Sequence, residues 1–320
     1  MSNLVFVSGD FSSGSTLMFT LLRKTKEYYC LYEPLHEKLL EYLIWPLRVD
    51  KHHFFVEDYF AELKNFREIP RLFNPQWGGH ELSLPANEDA DELYRYLNYV
   101  IGASFGKANK VMLKENRLTF RLGWMRAKFP HAKLIHVYRS KESQWKSIVK
   151  RVQEHKGSEN VGQDGVDFVG FNIAGWCEDL KHRFPQLAAD QSKTGFERFS
   201  KLWDLSFAEH QKYADLSVDY WELTHNFEQT FERVKECIGA SFDVPSLSKW
   251  VVPKEQQKEL AIARSGLKIH AKDFLDRVTR KYARVRLRAN SALMGIHSES
   301  KSISARHLVG MIALLSSNYV

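Results

Sequence analysis

The run Gly9-Asp10-Phe11-Ser12-Ser13-Gly14-Ser15-Thr16 constrains the fold of this chain more than any other stretch. It follows Leu4-Val5-Phe6-Val7, a short apolar run of the kind that forms a buried parallel strand. It precedes Leu17, Met18, Leu21 and Leu22, which recur at helical spacing. A strand that enters a Gly/Ser turn and leaves it as a helix aims backbone N–H groups and a helix N-terminus at one point, where an anion can bind. The spacing fits the phosphate-loop pattern G-x-x-x-x-G-K-[ST], with Ser15 where the lysine belongs. That lysine reaches the β- and γ-phosphates, so its loss disfavours an ordinary ATPase or GTPase. The competing reading is a Gly/Ser turn in which Ser13 or Ser15 merely caps a helix.

Four further strand-like runs follow: Tyr28–Tyr32, Lys110–Leu113, Lys133–Tyr138 and Leu216–Tyr220. Helical patterns stand between them, over 35–47, from a cap at Asn87 onward, 118–129, 141–154, 171–184 and 193–213, and a last one follows at 226–238. Residues 50–85 read as an insertion over a sheet edge, and 157–170, with four glycines, as a lid-like loop. Strands alternating with helices predict an α/β fold: a P-loop-like parallel β-sheet of about five strands, helices on both faces, and extra helices at the C-terminus. We expect one domain over 1–320, with a core at about 4–240 and a basic helical extension at about 255–320. Such sheets bind ligands beyond the carboxyl ends of their strands, where Gly9–Thr16, Glu33, Lys114 and Arg139 all fall.

The 46 Lys and Arg exceed the 39 Asp and Glu by +7, which suits an anionic ligand. No basic tract interleaved with aromatics suggests nucleic-acid binding. Cys30, Cys177 and Cys237 lie too far apart for a C-x-x-C or an even disulfide framework, so neither a disulfide nor a metal site is expected. The N-terminal apolar run breaks at Ser8-Gly9, unlike a signal peptide, and the run 307–315 is too short to span a bilayer. A soluble protein of the cytoplasm is expected, with its oligomeric state open.

Arg139 ends the most strongly patterned strand, and Ser147 lies eight residues on, two turns into the next helix. A guanidinium and a hydroxyl so placed can grip one phosphate together. Combined with a lysine-less phosphate loop, they suggest a ligand phosphorylated at two separate places.

In these stretches the sequence resembles the sulfotransferases that use 3′-phosphoadenylyl sulfate (PAPS), of the bacterial and carbohydrate type. Their first loop reads like P-[RK]-S-G-T-T-[LW], matched here at Ser13, Gly14, Thr16 and Leu17. Their second motif runs from a strand through Arg-x-Pro to a serine eight residues after the arginine, as in Phe129 to Ser147. Tyr32-Glu33-Pro34 resembles their Glu-Pro, Lys114-Glu115-Asn116-Arg117-Leu118 their K-D-P-R-L, and Tyr220-Trp221-Glu222-Leu223 their Y-E-x-L. The sequence departs from the family at Ser12, where a basic residue is usual, and at Ser140-Lys141, where Arg-x-Pro is usual.

The resemblance implies sulfuryl transfer from PAPS to a hydroxyl acceptor, a carbohydrate or small molecule, leaving adenosine 3′,5′-diphosphate and needing no metal. On it, Ser12, Ser13, Gly14, Ser15 and Thr16 hold the 5′-phosphosulfate, helped by Arg23, Lys24 or Lys114. Arg139 and Ser147 hold the 3′-phosphate, and Tyr220 lies near the adenine. Glu33 is the candidate general base and His36 its rival, while Lys114 stabilises leaving-group charge. Each has a plainer alternative: Glu33 as an ion-pair partner, His36 as a residue of a first helical turn, Lys114 as a partner of Glu33 or Glu115. Trp77-Gly78-Gly79-His80 either lines the acceptor cleft or packs in an aromatic core. Two other functions compete, a degenerate P-loop kinase and a nucleotide-binding protein without catalysis.

Overall fold

In a computed structural model of the chain, residues 3–44, 58–156, 167–168, 171–192 and 194–251 are described. The lid-like loop therefore lies outside the described residues except at Asp167–Phe168, which pairs antiparallel with Phe171–Asn172. The basic C-terminal extension and residues 50–57 also lie outside them.

Five parallel strands form one sheet: β1 (Leu4–Ser8), β2 (Tyr29–Tyr32), β3 (Val111–Lys114), β4 (Lys133–Tyr138) and β5 (Leu216–Asp219). Their order is β2-β3-β1-β4-β5. Val5, Val7, Val111, Met112, Leu113, Ile135 and Val137 are all fully buried, as the continuous apolar runs of a doubly covered sheet require. Registration places Val7 beside both Lys114 and Ile135, so β1 is the middle strand. The chain moves one way from β1 to β2 and the other way from β4 to β5, which opens a crevice between β1 and β4 at their carboxyl ends.

Right-handed crossovers put α1 (Ser15–Thr25) on one face, together with α7 (Phe227–Ile238), and α2 (Asp91–Phe105), α3 (Leu122–Lys128) and α6 (Gly195–Tyr213) on the other. Here α4 is Lys141–Lys156 and α5 Ile173–Leu180, which build a second apolar cluster with α6 around Trp176, Cys177, Leu180, Phe199 and Leu202. Thr194 starts α6 by accepting the N–H of Glu197 at 3.1 Å, a short polar side chain satisfying an orphan donor.

Most elements fall where their periodicity put them, and the departures have local causes. Asn87 caps nothing: α2 begins four residues later, after Ala90, with Asp91 and Glu92 in its first turn. The helix expected from residue 118 is first a 3₁₀ segment, Asn116–Arg121, because Glu115 turns its carboxylate onto the N–H of Arg117 at 3.0 Å. The helix expected over 35–47 is helical at Leu39–Ile44, since Glu33–His36 forms a tight turn first. All three cysteines are free, with Cys30 and Cys177 buried.

One buried pair titrates with the fold. The rings of His136 and His210 stack 3.8 Å apart at 11° beneath the sheet's carboxyl end. His210 Nδ1 lies 2.8 Å from the carbonyl of Ser206, which can only accept, so Nδ1 carries the proton and Nε2 accepts from Ser8 Oγ at 2.9 Å. Burial pushes His210 down to about 4 and His136 well below the ordinary imidazole value. An unfolded chain takes up these protons near pH 6.5 and the folded one does not. Stability therefore falls as pH drops from about 6.5 towards 4, by about 1.4 kcal/mol per pH unit per imidazole. Urea unfolding at pH 7, 6 and 5 checks this, and His210→Gln should flatten the decline by about one proton's slope.

Candidate functional site

The loop after β1 crosses the crevice with no room to spare. A Cβ on Gly9 would lie 2.2 Å from the carbonyl of Val137 in β4. Gly14, at φ 102°, is the N-cap of α1, and a Cβ there would meet Tyr220 Cδ2 at 2.1 Å. Ser12 also has positive φ, 63°, a strained value for a residue with a side chain. The loop closes on itself through Ser13 N–H to the carbonyl of Asp10, 3.1 Å. Ser13 Oγ is buried and has no hydrogen-bond partner. The N–H groups of Ser15 and Thr16, in the first turn of α1, have no intrahelical acceptor. A buried hydroxyl without a partner, beside orphan N–H groups at a helix N-terminus, is a donor set of the kind an anion satisfies.

Arg139 follows β4, and its guanidinium lies 5.1 Å over the ring of Tyr220, the residue that packs on Gly14. Among the described residues it has no carboxylate partner. Burial pulls its pKa down, and Arg151, three turns into α4, adds like-charge repulsion. The Asp219 carboxylate acts on Arg139 in the opposite sense, but no salt bridge joins them, so the Arg139 guanidinium can meet an anion. Ser147 stands half-buried on α4, four residues before Arg151 and so on the same face. Arg151 was not evident from sequence; only its i+4 spacing from Ser147 hinted at it.

The third group lies at the ends of β2 and β3. Glu33, almost fully buried at φ 40°, receives Arg117 Nη1 on Oε2 at 2.8 Å and pairs through Oε1 with Lys114 Nζ. Asn116 Nδ2 also reaches Oε1, at 3.4 Å, while Asn116 Oδ1 accepts from Ser15 Oγ at 3.3 Å. Glu33 is thus linked through one side chain to the first turn of α1. Arg117 Nη2 pairs with Glu37 at 2.7 Å, and Glu115 accepts the N–H of Leu35 at 2.7 Å. Burial works to raise the Glu33 pKa, but the Lys114 and Arg117 charges prevail and hold it well below the usual carboxylate range. Lys114 also lies 4.6 Å over the ring of Tyr32, whose hydroxyl meets Thr16 Oγ1 at 3.2 Å.

His36 is buried next to this group. Its Nδ1 accepts the N–H of Lys38 at 3.1 Å, and burial together with Arg117 pushes it down to about 3. It is a neutral ring across the physiological range. Arg23 and Lys24 do not reach the loop: they occupy the last turn of α1, about 12 Å along its axis from Ser15. There Arg23 pairs with Glu62 at 2.8 Å and Lys24 lies over Trp250 at 4.2 Å. Trp77 packs with Phe73 and Tyr96, so the aromatic-core reading of that segment holds. Its backbone is fixed by Arg121, whose guanidinium donates to the carbonyls of Trp77 at 2.9 Å and Glu81 at 2.6 Å.

The structure therefore gathers Ser13–Thr16, Tyr220 and Arg139 around one loop, and Glu33, His36 and Lys114 at the neighbouring strand ends. No group of three or more metal-ligating side chains occurs among the described residues, and no helix there is long and apolar enough to cross a membrane.

Three sulfotransferase structures are similar to this chain. One, from Mycobacterium avium, is 13% identical with a TM-score of 0.44, covering 78% of this chain and 67% of that one. A second, from Mycobacterium tuberculosis, is 15% identical with a TM-score of 0.43, covering 82% and 76%. The third, the sulfotransferase domain of a Synechococcus olefin synthase, is 15% identical with a TM-score of 0.38, covering 82% and 95%. No protein-family model and no curated protein matches the sequence.

Two substitutions probe the site's construction. Glu33→Gln leaves Lys114 and Arg117 buried without their shared carboxylate and should cost about 3–5 kcal/mol in urea unfolding. Gly14→Ala imposes positive φ on a side chain and displaces Tyr220, and should cost more than about 1 kcal/mol by the same measure.

Proposed function

We propose that the chain is a sulfotransferase that binds PAPS and passes its sulfuryl group to a hydroxyl acceptor. The observation that carries this reading is the pair of separate anion acceptors joined by one contact. The unpartnered Ser13 hydroxyl and the α1 N-terminus lie at one end, Arg139 over Tyr220 at the other, and Tyr220 rests on Gly14 between them. A ligand phosphorylated at both ends of a nucleoside fits such a layout, and one with a single polyphosphate chain does not use its second half. The sequence pattern Arg139 to Ser147 supports the same assignment, with Arg151 as an added cation. Ser12 and Ser15, where other phosphate loops carry cations, supply only neutral donors.

In the reaction, the acceptor oxygen forms a bond to sulfur as the bridging S–O bond to phosphate breaks, leaving adenosine 3′,5′-diphosphate. The N–H groups of Ser15 and Thr16 and the Ser13 hydroxyl would hold the 5′-phosphosulfate, and Lys114 the charge growing on the departing phosphate. Glu33 takes the acceptor proton in this scheme. Its two cationic partners make it a weak base. A loose transition state asks little of a base, because the acceptor proton turns acidic only as the O–S bond forms. His36, with its Nδ1 already accepting an N–H, suits the role less well. The unpaired cysteines are consistent with a reducing cytoplasm.

Thermal unfolding with adenosine 3′,5′-diphosphate or ATP, on wild type and Arg139→Ala, tests the reading. A ligand that binds only the native state raises Tm by mass action, so the diphosphate should stabilise wild type more than ATP does and lose most of that effect in the variant. A larger shift with ATP would favour the degenerate kinase. Diphosphate binding without sulfuryl transfer to any hydroxyl acceptor would leave a nucleotide-binding protein without catalysis.

A further inference from the structure

The loop carries one charged side chain of its own, Asp10, and the chemistry proposed above has no use for it. Its carboxylate accepts from Ser206 Oγ on α6 at 2.7 Å, while the nearby Thr119 in the 3₁₀ turn donates its hydroxyl to the carbonyl of Asn116 at 3.1 Å. Its neighbours in the loop are held from the same side. Ser8 Oγ donates to His210, and the carbonyl of Phe11 accepts from Gln144 Nε2 at 2.8 Å, with Gln144 in turn accepting from Trp203 at 3.2 Å. Trp203, Ser206 and His210 fall at i, i+3 and i+7, so one face of α6 holds Ser8 and Asp10 directly and Phe11 through Gln144 of α4.

Among the described residues, no cation offsets the Asp10 charge. In the 3₁₀ turn, Arg117 is committed to Glu33 and Glu37, and Arg121 to backbone carbonyls. At the end of β3, Lys114 is committed to Glu33, and Glu115 accepts N–H groups. On α6, Glu209 pairs with Lys212 at 3.2 Å, Asp204 with Lys141 at 2.6 Å, and His210 is neutral, as is His136 on β4. Arg139 lies over Tyr220.

A carboxylate supported by the Ser206 hydroxyl and by no salt bridge among the described residues stands in the loop that an anion must approach. We propose that Asp10 is a proton-linked positioning residue, so that the loop receives the anionic end of a nucleotide with Asp10 protonated. This rests on the nucleotide-binding reading of the loop. Protonation removes the like-charge repulsion and leaves Asp10 able to keep its bond from Ser206, so the loop keeps its shape while its charge changes. The desolvated setting already raises Asp10 to about 6, within reach of a bound anion's further push.

The test is calorimetric titration of the full chain with adenosine 3′,5′-diphosphate between pH 5.5 and 8, in buffers of different ionisation enthalpy. The ligand's own phosphates titrate in this range and contribute alike to wild type and Asp10→Asn, so the difference between the two proteins is the readout. Wild type should take up as much as one more proton per ligand than Asp10→Asn. Its affinity relative to the variant should fall about tenfold per pH unit above neutrality. Ser206→Ala removes a donor that favours the charged carboxyl and should move the onset of that fall to higher pH, a shift no merely structural role of Ser206 predicts. This variant decides the question if Asp10→Asn does not fold. Equal proton counts and parallel pH profiles, with binding intact, would overturn the proposal and leave the nucleotide reading standing. Absence of binding at every pH would overturn both.

Discussion

The buried ion cluster at the ends of β2 and β3 is the interaction on which the rest of the site depends. Glu33 sits before a proline, in a backbone conformation that both its side chain and Pro34 disfavour. It stays there because its N–H reaches the carbonyl of Lys114 at 2.7 Å and its carboxylate meets Lys114 and Arg117. Arg117 extends the same hold to Glu37 and to the carbonyl of Gly78, and Asn116 extends it to Ser15 in α1. One set of charges therefore fixes the turn after β2, the 3₁₀ segment after β3, the Trp77 segment and the first turn of the helix behind the loop. The cost of burying these charges is offset only if every partner is present, which makes the cluster intolerant of single losses.

The loop is gripped from the opposite side by α6, with different chemistry. There no salt bridge is made: Ser8 bonds to His210, Ser206 to Asp10, and Gln144 of α4 to the Phe11 carbonyl. Two clamps, one built on salt bridges and one on hydrogen bonds without them, hold a segment that carries positive φ at Ser12 and Gly14. A strained loop persists where its surroundings over-determine it, and the return is a fixed set of donors that need not reorganise when an anion arrives.

Much of this was legible in the sequence because it depends on local pattern. Apolar runs of four to six residues gave the five strands, and their alternation with helices gave a parallel sheet; from that, Gly9–Thr16, Glu33, Lys114 and Arg139 had to share one edge. The Gly14 requirement also shows locally, as a glycine at a helix start. Pairings across the fold did not show. Nothing in the spacing ties Asp10 to Ser206 or Ser8 to His210, some 200 residues away, and Glu37 and Asn116 look like ordinary surface residues until the turn after β2 folds onto β3. Arg23 misled because a basic residue near a phosphate loop in sequence lies a full helix away in space, tied to Glu62.

The distribution of charge around the loop bears on how the proposed transfer would be driven. The ion cluster sets Lys114 and Arg117 against Glu33, Glu37 and Glu115, so it is no net source of positive potential. Arg139, at the far end of the site, makes no salt bridge among the described residues. At the loop itself the donors are neutral N–H and O–H groups. On the proposed scheme, binding energy would come chiefly from the phosphate that does not react, and the reacting end would meet oriented dipoles together with Lys114, whose charge Glu33 already balances. Dipoles aimed at a departing phosphate gain most as its charge grows, whereas an unpaired lysine or arginine in the loop would already hold the ground-state phosphosulfate tightly. Catalysis is served by interactions that strengthen towards the transition state. A serine at position 12 is compatible with turnover on this ground, provided that Arg139 keeps the ligand in place.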